Sequence, residues 1–386
     1  MTPGARVQAA VEILDRVAGG MAAEQALTRW ARGARFAGSK DRAAVRDHVF
    51  DALRMWRSSA AAGGGTTGRA RMIGLLRQQG LAPEKLFTGE GHAPAPLSDA
   101  EARAPEVPEA EARDLPDWLL EALSTDHGID QAREIAQTLR ARAPIILRVN
   151  LLKTNRDVAA EALAEEGIAT TPNPRAETAL SVTENPRRVA GSRAFREGLV
   201  ELQDAASQAA MADLPLSPGD RVLDYCAGGG GKSLALAARL GGGPVWAHDA
   251  DPRRMRDLPD RAARAGADLR VTDRPEGPFD LVLTDVPCSG SGTWRRAPEA
   301  KWQLTPEALA GLCATQAAIL REVAPLVRPG GVLAYATCSV LTRENAAQVA
   351  AFLAEHPEFF LSREALALPD AEGDGFYHAV LQRAGA

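Results

Sequence analysis

Apolar positions recur every three to four residues through the first 80 positions of the chain. Val7, Val11, Leu14 and Val17 share one helical face, and Val45, Val49, Ala52, Leu53 and Trp56 share another. The spacing predicts helices, interrupted by a small-residue turn or loop over 60–68. Over 81–111 the periodicity fades and Pro, Ala and Glu dominate, as in a linker or a loosely packed excursion. Pro116-Asp117-Trp118-Leu119 opens another helical stretch. The run 145–150 reads as a strand and 157–166 as a helix, a pairing that predicts a small α+β module.

From about residue 198 the pattern changes. Apolar runs of β type at 221–225, 244–248, 269–272, 281–284 and 331–336 alternate with helical patterns at 233–239, 253–265 and 306–323. Strand–helix alternation predicts a parallel sheet covered by helices on both faces, which binds ligands beyond the carboxyl ends of its strands. Three regions are therefore expected: a helical 1–110 ending in an acidic linker, an α+β module over 111–197, and an α/β domain over 198–386.

The length of 386 residues suits two or three domains, and 45% hydrophobic with 25% charged residues is average for a globular protein. No run approaches the ~18 apolar residues of a membrane span. Charges interrupt the apolar run of 1–16, unlike a signal peptide, so a cytoplasmic location is expected. Nothing in the pattern requires a dimer, and a monomer is expected. The net charge of −5 hides an asymmetry: 13 Lys and Arg face 6 Asp and Glu over 1–80, whereas 3 face 12 over 81–130. A basic head of this kind can be an electrostatic footprint for phosphates.

The four cysteines, Cys226, Cys288, Cys313 and Cys338, include no CxxC pair, and the six histidines lack ligand spacing, so no metal site is expected. Cys313 falls on the helical stripe of Leu309, Leu320 and Val323 and reads as core. The first α/β strand runs into Asp224-Tyr225-Cys226-Ala227-Gly228-Gly229-Gly230-Gly231-Lys232-Ser233. Cys226 stands where a P-loop needs its first glycine, and Ser233 stands where a dinucleotide fingerprint needs its third. What remains is a tight turn whose backbone can approach a ligand closely. The next two strands end at Asp249, suited to ribose hydroxyls, and at Asp273, suited to an adenine edge. Together these point to an adenosyl cofactor without a polyphosphate, and S-adenosylmethionine fits.

Cys288 follows the fourth strand in Thr284-Asp285-Val286-Pro287-Cys288-Ser289-Gly290, and Cys338 follows the fifth in Thr337-Cys338-Ser339. Two thiols and an acid beside a methyl donor have a specific use. A thiolate that adds to carbon 6 of cytosine makes carbon 5 nucleophilic enough to take a methyl group. A carboxyl group supports proton traffic at the ring, and the Lys232 cation favours a nearby thiolate.

At these residues the chain resembles the RsmB-type family of RNA cytosine-C5 methyltransferases. Asp224 to Ser233 match that family's D-x-C-A-A-P-G-G-K-[ST], with Gly228 for Ala and Gly229 for Pro, a loss expected to loosen the turn. Asp285-Val286-Pro287-Cys288-Ser289-Gly290-Ser291-Gly292-Thr293 match D-A-P-C-S-G-S-G-T. Thr337-Cys338-Ser339 match T-C-S, Gln203-Asp204 with Ser207 resemble Q-D-x-x-S, and Asp374-Gly375-Phe376-Tyr377 resemble D-G-F-F.

The resemblance implies a Rossmann-like, class I S-adenosylmethionine-dependent catalytic domain. It implies Cys338 as nucleophile, Cys288 in proton removal and release, Asp285 at the cytosine or the cofactor, and Lys232 beside them. It implies a cofactor site of Cys226, Ala227, Gly228, Gly229, Gly230, Gly231, Lys232, Asp249, Asp273 and Asp285. Arg148-Val149-Asn150 resembles the segment that precedes these catalytic domains. Arg35, Lys40 and Arg42, within Arg35-Phe36-Ala37-Gly38-Ser39-Lys40-Asp41-Arg42, resemble a NusB-like RNA-binding domain. Arg295, Arg296 and Lys301, interleaved with Trp294 and Trp302, are expected to hold phosphates while the aromatics stack on bases. The substrate implied is ribosomal RNA of the small subunit, with transfer RNA and a non-catalytic RNA-binding assembly role as alternatives.

Overall fold

The computed structural model describes residues 1–385. The chain forms two compact units: Met1–Arg142 together with Trp294–Gln303, and Ala143–Thr293 together with the described residues 304–385. The helical unit therefore extends past 110, and the α+β module groups with the large sheet.

In the first unit, α1 (Pro3–Ala18), α2 (Ala23–Gly33), α3 (Ser39–Arg54), α4 (Trp56–Gly63) and α5 (Gly68–Gln78) enclose a core that includes Val7, Ile13, Leu14, Val45, Val49, Leu53, Met72, Ile73 and Leu75. Thr2 and Thr67 start α1 and α5 by accepting from the backbone N–H groups of Ala5 and Ala70. The turn expected over 60–68 is present but narrower, confined to 64–67 between α4 and α5. Ala60, Ala61 and Ala62 are strong helix formers, and α4 turns only at Gly64, with φ of 75°. Small residues also let α4 and α5 cross closely. A Cβ on Gly74 would fall 1.9 Å from the Ser59 carbonyl oxygen, and one on Gly63 would fall 1.8 Å from that of Ala70.

The 81–111 stretch is held down, contrary to the loose excursion expected. Phe87 is buried, and the Arg69 guanidinium lies 4.9 Å from its ring centre and pairs with Glu101 at 2.7 Å. Asp114 is fully buried. It accepts from the backbone N–H groups of Arg57 and Ser58, both at 2.9 Å, and from the Ser58 hydroxyl, and it pairs with Arg140. It thus satisfies the N-terminal donors of α4.

The segment Trp294–Gln303 corrects a functional expectation. Trp294, Arg295 and Lys301 are buried. Lys301 Nζ donates to the Arg54 carbonyl at 2.9 Å, Trp302 Nε1 donates to that of Leu53 at 2.8 Å, and Arg54 Nε donates to that of Arg295 at 2.7 Å. Leu53 and Arg54 end α3, so Lys301 and Trp302 cap its orphan carbonyls with a cation at the negative end of the helix dipole. Burial pulls the Lys301 ammonium down to about 7. Arg295 and Lys301 are thus structural groups rather than phosphate contacts, whereas Arg296 is exposed.

In the second unit, β1 (Ile145–Val149), β2 (Thr170–Pro172), β3 (Ala179–Val182) and β4 (Val200–Leu202) form an antiparallel sheet of order β2-β3-β1-β4. Because β4 completes this sheet, the expected boundary at 198 falls inside it. The large sheet contains β5 (Val222–Asp224), β6 (Val245–Ala247), β7 (Leu269–Val271), β8 (Phe279–Asp285), β9 (Val327–Thr337), β10 (Phe359–Ala367) and β11 (Phe376–Arg383). Its order is β10-β11-β9-β8-β5-β6-β7. The run β7-β6-β5-β8-β9 is parallel, as expected, and β11 and β10 add an antiparallel edge. The chain steps outward from β5 to β7 and then returns to β8, so the strand order reverses beside β5. Among the described residues no helix is long and apolar enough to cross a membrane.

The close crossing of α4 and α5 yields a stability test. Gly74→Ala should cost about 1–3 kcal/mol, because the new methyl meets rigid backbone. Gly33→Ala, whose Cβ would meet nothing within 4 Å, should be close to neutral by urea denaturation.

Candidate functional site

The chain leaves β5 through the glycine loop directly into the helix Gly231–Arg239. Gly228 and Gly230 have φ of 52° and 78°, a region costly for other residues. A Cβ on Gly230 would also fall 2.0 Å from the Leu258 side chain. The loop is tied to its neighbours. Ala227 N–H donates to the His248 carbonyl at 2.9 Å, and Gly228 N–H donates to the Asp249 carboxylate at 2.9 Å. The Arg261 guanidinium donates to the Gly229 carbonyl, and that of Arg148 donates to the Gly231 carbonyl and to Gln203. Two arginines therefore hold the turn where proline is missing. Burial draws the Arg148 guanidinium down to about 10.

Asp249 is 4% exposed and also accepts from Asp251 N–H at 2.9 Å and pairs with Arg254 at 3.0 Å. The Arg254 side chain is 56% exposed. Asp273 is exposed beyond the end of β7 and outside this set of hydrogen bonds. Cys226 is half-buried, and burial pushes its thiol well up, which keeps it neutral. Asp224 is buried and accepts from the Ser233 hydroxyl at 2.6 Å. Desolvation pushes its carboxyl up to about 7.

Strands β8 and β9 pair in parallel with Asp285 level with Ala336. Cys288 and Cys338 follow within three residues, and their sulfurs lie 3.4 Å apart. Lys232 reaches across from the glycine loop to pair with Asp285 at 2.6 Å. Burial works against the Lys232 charge, but Asp285 outweighs it and raises the ammonium. The Cys288 hydrogen bond lowers Cys338 despite its burial, with Lys232 and the Thr293 hydroxyl assisting. Its partner moves the other way: the same hydrogen bond and burial hold Cys288 well above a free thiol. The two shifts run in opposite directions, so the pair is biased toward a Cys338 thiolate accepting from a Cys288 thiol.

One member of this cluster lies outside the matched motifs. Glu344 is fully buried and accepts from Ser289 N–H at 2.8 Å and Gln316 Nε2 at 3.0 Å, and from the hydroxyls of Ser289 and Ser339. Its only trace in the sequence is a Glu-Asn pair shortly after Cys338. Arg148, Arg254 and Arg261 were likewise not legible as loop-holding groups, because they arrive from other elements. Cys313 is only half-buried, 3.6 Å from the Arg343 carbonyl, and Gln316 occupies the buried face expected for it. In the helical unit Arg35, Lys40 and Arg42 are exposed, as is Phe36 at 75%.

A switch-point glycine turn on a largely parallel seven-stranded sheet defines a Rossmann-like fold of the class I methyltransferase type. The family described as 16S rRNA methyltransferase RsmB/F matches residues 211–382, and the RsmF/B-like ferredoxin-like domain matches 115–189. A ribosomal RNA small subunit methyltransferase B of Klebsiella pneumoniae is 36% identical over 299 residues, covering 73% of this chain and 69% of that one. The protein of the same name from Salmonella arizonae is 36% identical over 283 residues, covering 69% and 66%. The chain thus spans about two thirds of the length of these relatives. Among solved structures, PH0851 has a TM-score of 0.77 at 24% identity, covering 99% of each chain. NSun6 from Pyrococcus horikoshii with SFG has a TM-score of 0.63 at 17% identity, covering 70% of this chain and 99% of that one. These two likenesses establish the fold. The chain belongs to the RsmB/F methyltransferase family.

The Asp224 carboxyl makes stability depend on pH. Its folded pKa of about 7 lies above the ordinary ~3.9, so the folded state keeps a proton that the unfolded chain loses. Its contribution is fully present below about pH 4 and is lost as pH rises through 7. Relative to the native chain, Asp224→Asn should therefore gain stability between pH 4.5 and 8, by up to about 4 kcal/mol. Parallel urea-denaturation profiles for the two proteins would show that Asp224 is not held neutral.

Proposed function

We propose that this chain transfers a methyl group from S-adenosylmethionine to carbon 5 of cytosine in RNA, and that the RNA is ribosomal RNA of the small subunit. The observation that carries this reading is the thiol pair at 3.4 Å beside Lys232 and Asp285. Methylation of an amino group needs no second thiol.

The residues at the switch point suit an adenosyl group. Gly228 and Gly230 leave the turn free of side chains, and the buried Asp249 carboxylate has acceptor capacity beyond its backbone donors once the half-exposed Arg254 swings aside. Asp249 would hold the ribose hydroxyls, the 226–232 backbone would line the cofactor, and Asp273 would meet the adenine edge. When bound, S-adenosylmethionine supplies an electrophilic methyl group.

The protein's part begins with Cys338. Its thiolate adds to carbon 6 of cytosine, forming a C–S bond and moving electron density to carbon 5. The Lys232 cation, held in place by Asp285, offsets the negative charge that the addition puts on the ring. Once Cys338 is bonded to carbon, its negative charge no longer holds the proton on Cys288. Cys288 can then release its proton to solvent and, as a thiolate, take the proton from carbon 5 after methylation. Elimination breaks the C–S bond and returns Cys338 as thiolate and Cys288 as thiol. The exposed Arg35, Lys40 and Arg42, with Arg296, would meet RNA phosphates. In this reading the chain works in the cytoplasm, as a monomer and without a metal.

Expression of Cys288→Ala in cells should accumulate a slowly migrating, ribonuclease-sensitive RNA–protein adduct, and adding Cys338→Ala should abolish it. A folded, cofactor-binding Cys288→Ala protein without any adduct would remove the two-thiol mechanism. Asp249→Ala should weaken S-adenosylmethionine binding by about 1–3 kcal/mol in calorimetry. Unchanged affinity would take Asp249 out of the cofactor site.

A further inference from the structure

Each catalytic thiol is followed in sequence by a serine, and both serines converge on one carboxylate. Glu344 Oε1 accepts from Ser289 N–H at 2.8 Å and from Gln316 Nε2 at 3.0 Å, while Oε2 takes the hydroxyls of Ser289 and Ser339. Gln316 also donates to the Pro287 carbonyl at 3.0 Å, which fixes the peptide just before Cys288. The other side of Glu344 is equally constrained. Its carbonyl accepts from the Tyr335 hydroxyl at 2.6 Å, and the neighbouring Asn345 bonds Thr337 Oγ1 at 2.6 Å and the Ser339 carbonyl at 2.9 Å. Donors thus fill both oxygens of this buried carboxylate.

We infer that Glu344 is a positioning residue: its carboxylate binds the Cys288 loop to the Cys338 loop and biases the single proton of the thiol pair toward Cys288. This rests on the two-thiol function proposed above. The physical reason is an asymmetry of charge. Lys232, Asp285 and the Thr293 hydroxyl face Cys338, and the cation favours a thiolate there. Around Cys288 and Glu344 stand the Tyr335 phenol and, farther out, the Cys313 thiol, both pushed up by burial and neutral, with Arg343 acting at Cys313. At Cys288 the hydrogen bond to Cys338, burial and the Cys338 charge come first, and Glu344, held in place by its donors, adds a further negative charge that opposes ionisation. A nucleophile and a proton acceptor built from identical side chains need such a device, because each must start in a different protonation state.

The test reads the thiols directly. Both keep partial solvent access, so a small reagent, methyl methanethiosulfonate, can reach them. Mass spectrometry of the full chain between pH 6 and 9 then gives the ratio of modification at Cys338 to that at Cys288. The native protein should favour Cys338 by about tenfold or more, equivalent to one pKa unit in thiolate population. Glu344→Gln keeps the size and one acceptor but removes the charge, and should narrow the ratio at least about threefold by raising Cys288 reactivity at lower pH. Ser289→Ala, which deletes one donor and leaves the carboxylate, should narrow it less; this variant keeps the test decisive if Glu344→Gln fails to fold. A folded Glu344→Gln with the native ratio and pH profile would overturn the inference, as would a native protein without preference. Because no RNA enters this experiment, absence of RNA methylation by the native chain would sink the proposed function while leaving the reading of Glu344 intact or refuted on its own evidence.

Discussion

The pairing of β8 with β9 sets the geometry on which the site depends. A parallel ladder holds neighbouring strands at a fixed spacing, and this register places Asp285 level with Ala336. Each strand then ends at the same pole of the sheet, and the chain needs only three further residues after β8 and one after β9 to reach a cysteine. A shift by one residue would turn alternate side chains to the opposite face and separate the thiols. Thr284, buried between these strands with its hydroxyl on the Ala334 carbonyl at 3.1 Å, and Val286 N–H on the Ala336 carbonyl at 3.1 Å keep the ladder in step up to the loop. The 3.4 Å sulfur separation is therefore a property of the sheet before it is a property of the loops.

Charge in this pole is arranged in a half-buried setting, where unpaired groups are still costly. Lys232 and Asp285 neutralise each other across the gap between the glycine turn and β8. Below about pH 7, Asp224 under the same turn avoids the penalty differently, by holding a proton and accepting from Ser233. Had Asp224 been ionised as well, two carboxylates would have competed for one lysine, and the field of Lys232 at Cys338 would have been weaker. The neutral carboxyl below and the ion pair above thus act together to leave the cation available to the nucleophilic thiol.

Much of this was legible from the chain. The strands of the parallel sheet are short apolar runs ended by polar residues, and the helix predicted over 306–323 matches Pro306–Val323 residue for residue. The glycine turn and both cysteines stood out because their residue types are chemically specific. The supporting groups did not. Arg148 lies in β1 and Arg261 in the helix Leu258–Ala265, yet both donate to carbonyls of one turn. Their convergence depends on topology, and a local pattern carries no sign of it. The small sheet was also only partly visible. Three of its strands are three or four residues long, too short for alternation to register.

The misreading of 294–303 has a more general cause. Alternating Trp with Arg and Lys matches a surface that stacks bases and binds phosphates, but it equally matches a segment that caps a helix end. Both uses need aromatic area and N–H donors. What separates them is the acceptor, and here the acceptors are the last carbonyls of α3, which lie 247 and 249 residues earlier in the chain. An anion on RNA would have kept these side chains hydrated, whereas backbone carbonyls let Lys301 be buried and lowered toward neutrality. Composition therefore identified the donors of this segment correctly and could not identify their acceptor. The positive charge open to solvent on the helical unit sits instead on residues such as Arg35, Lys40 and Arg42, beside the exposed ring of Phe36.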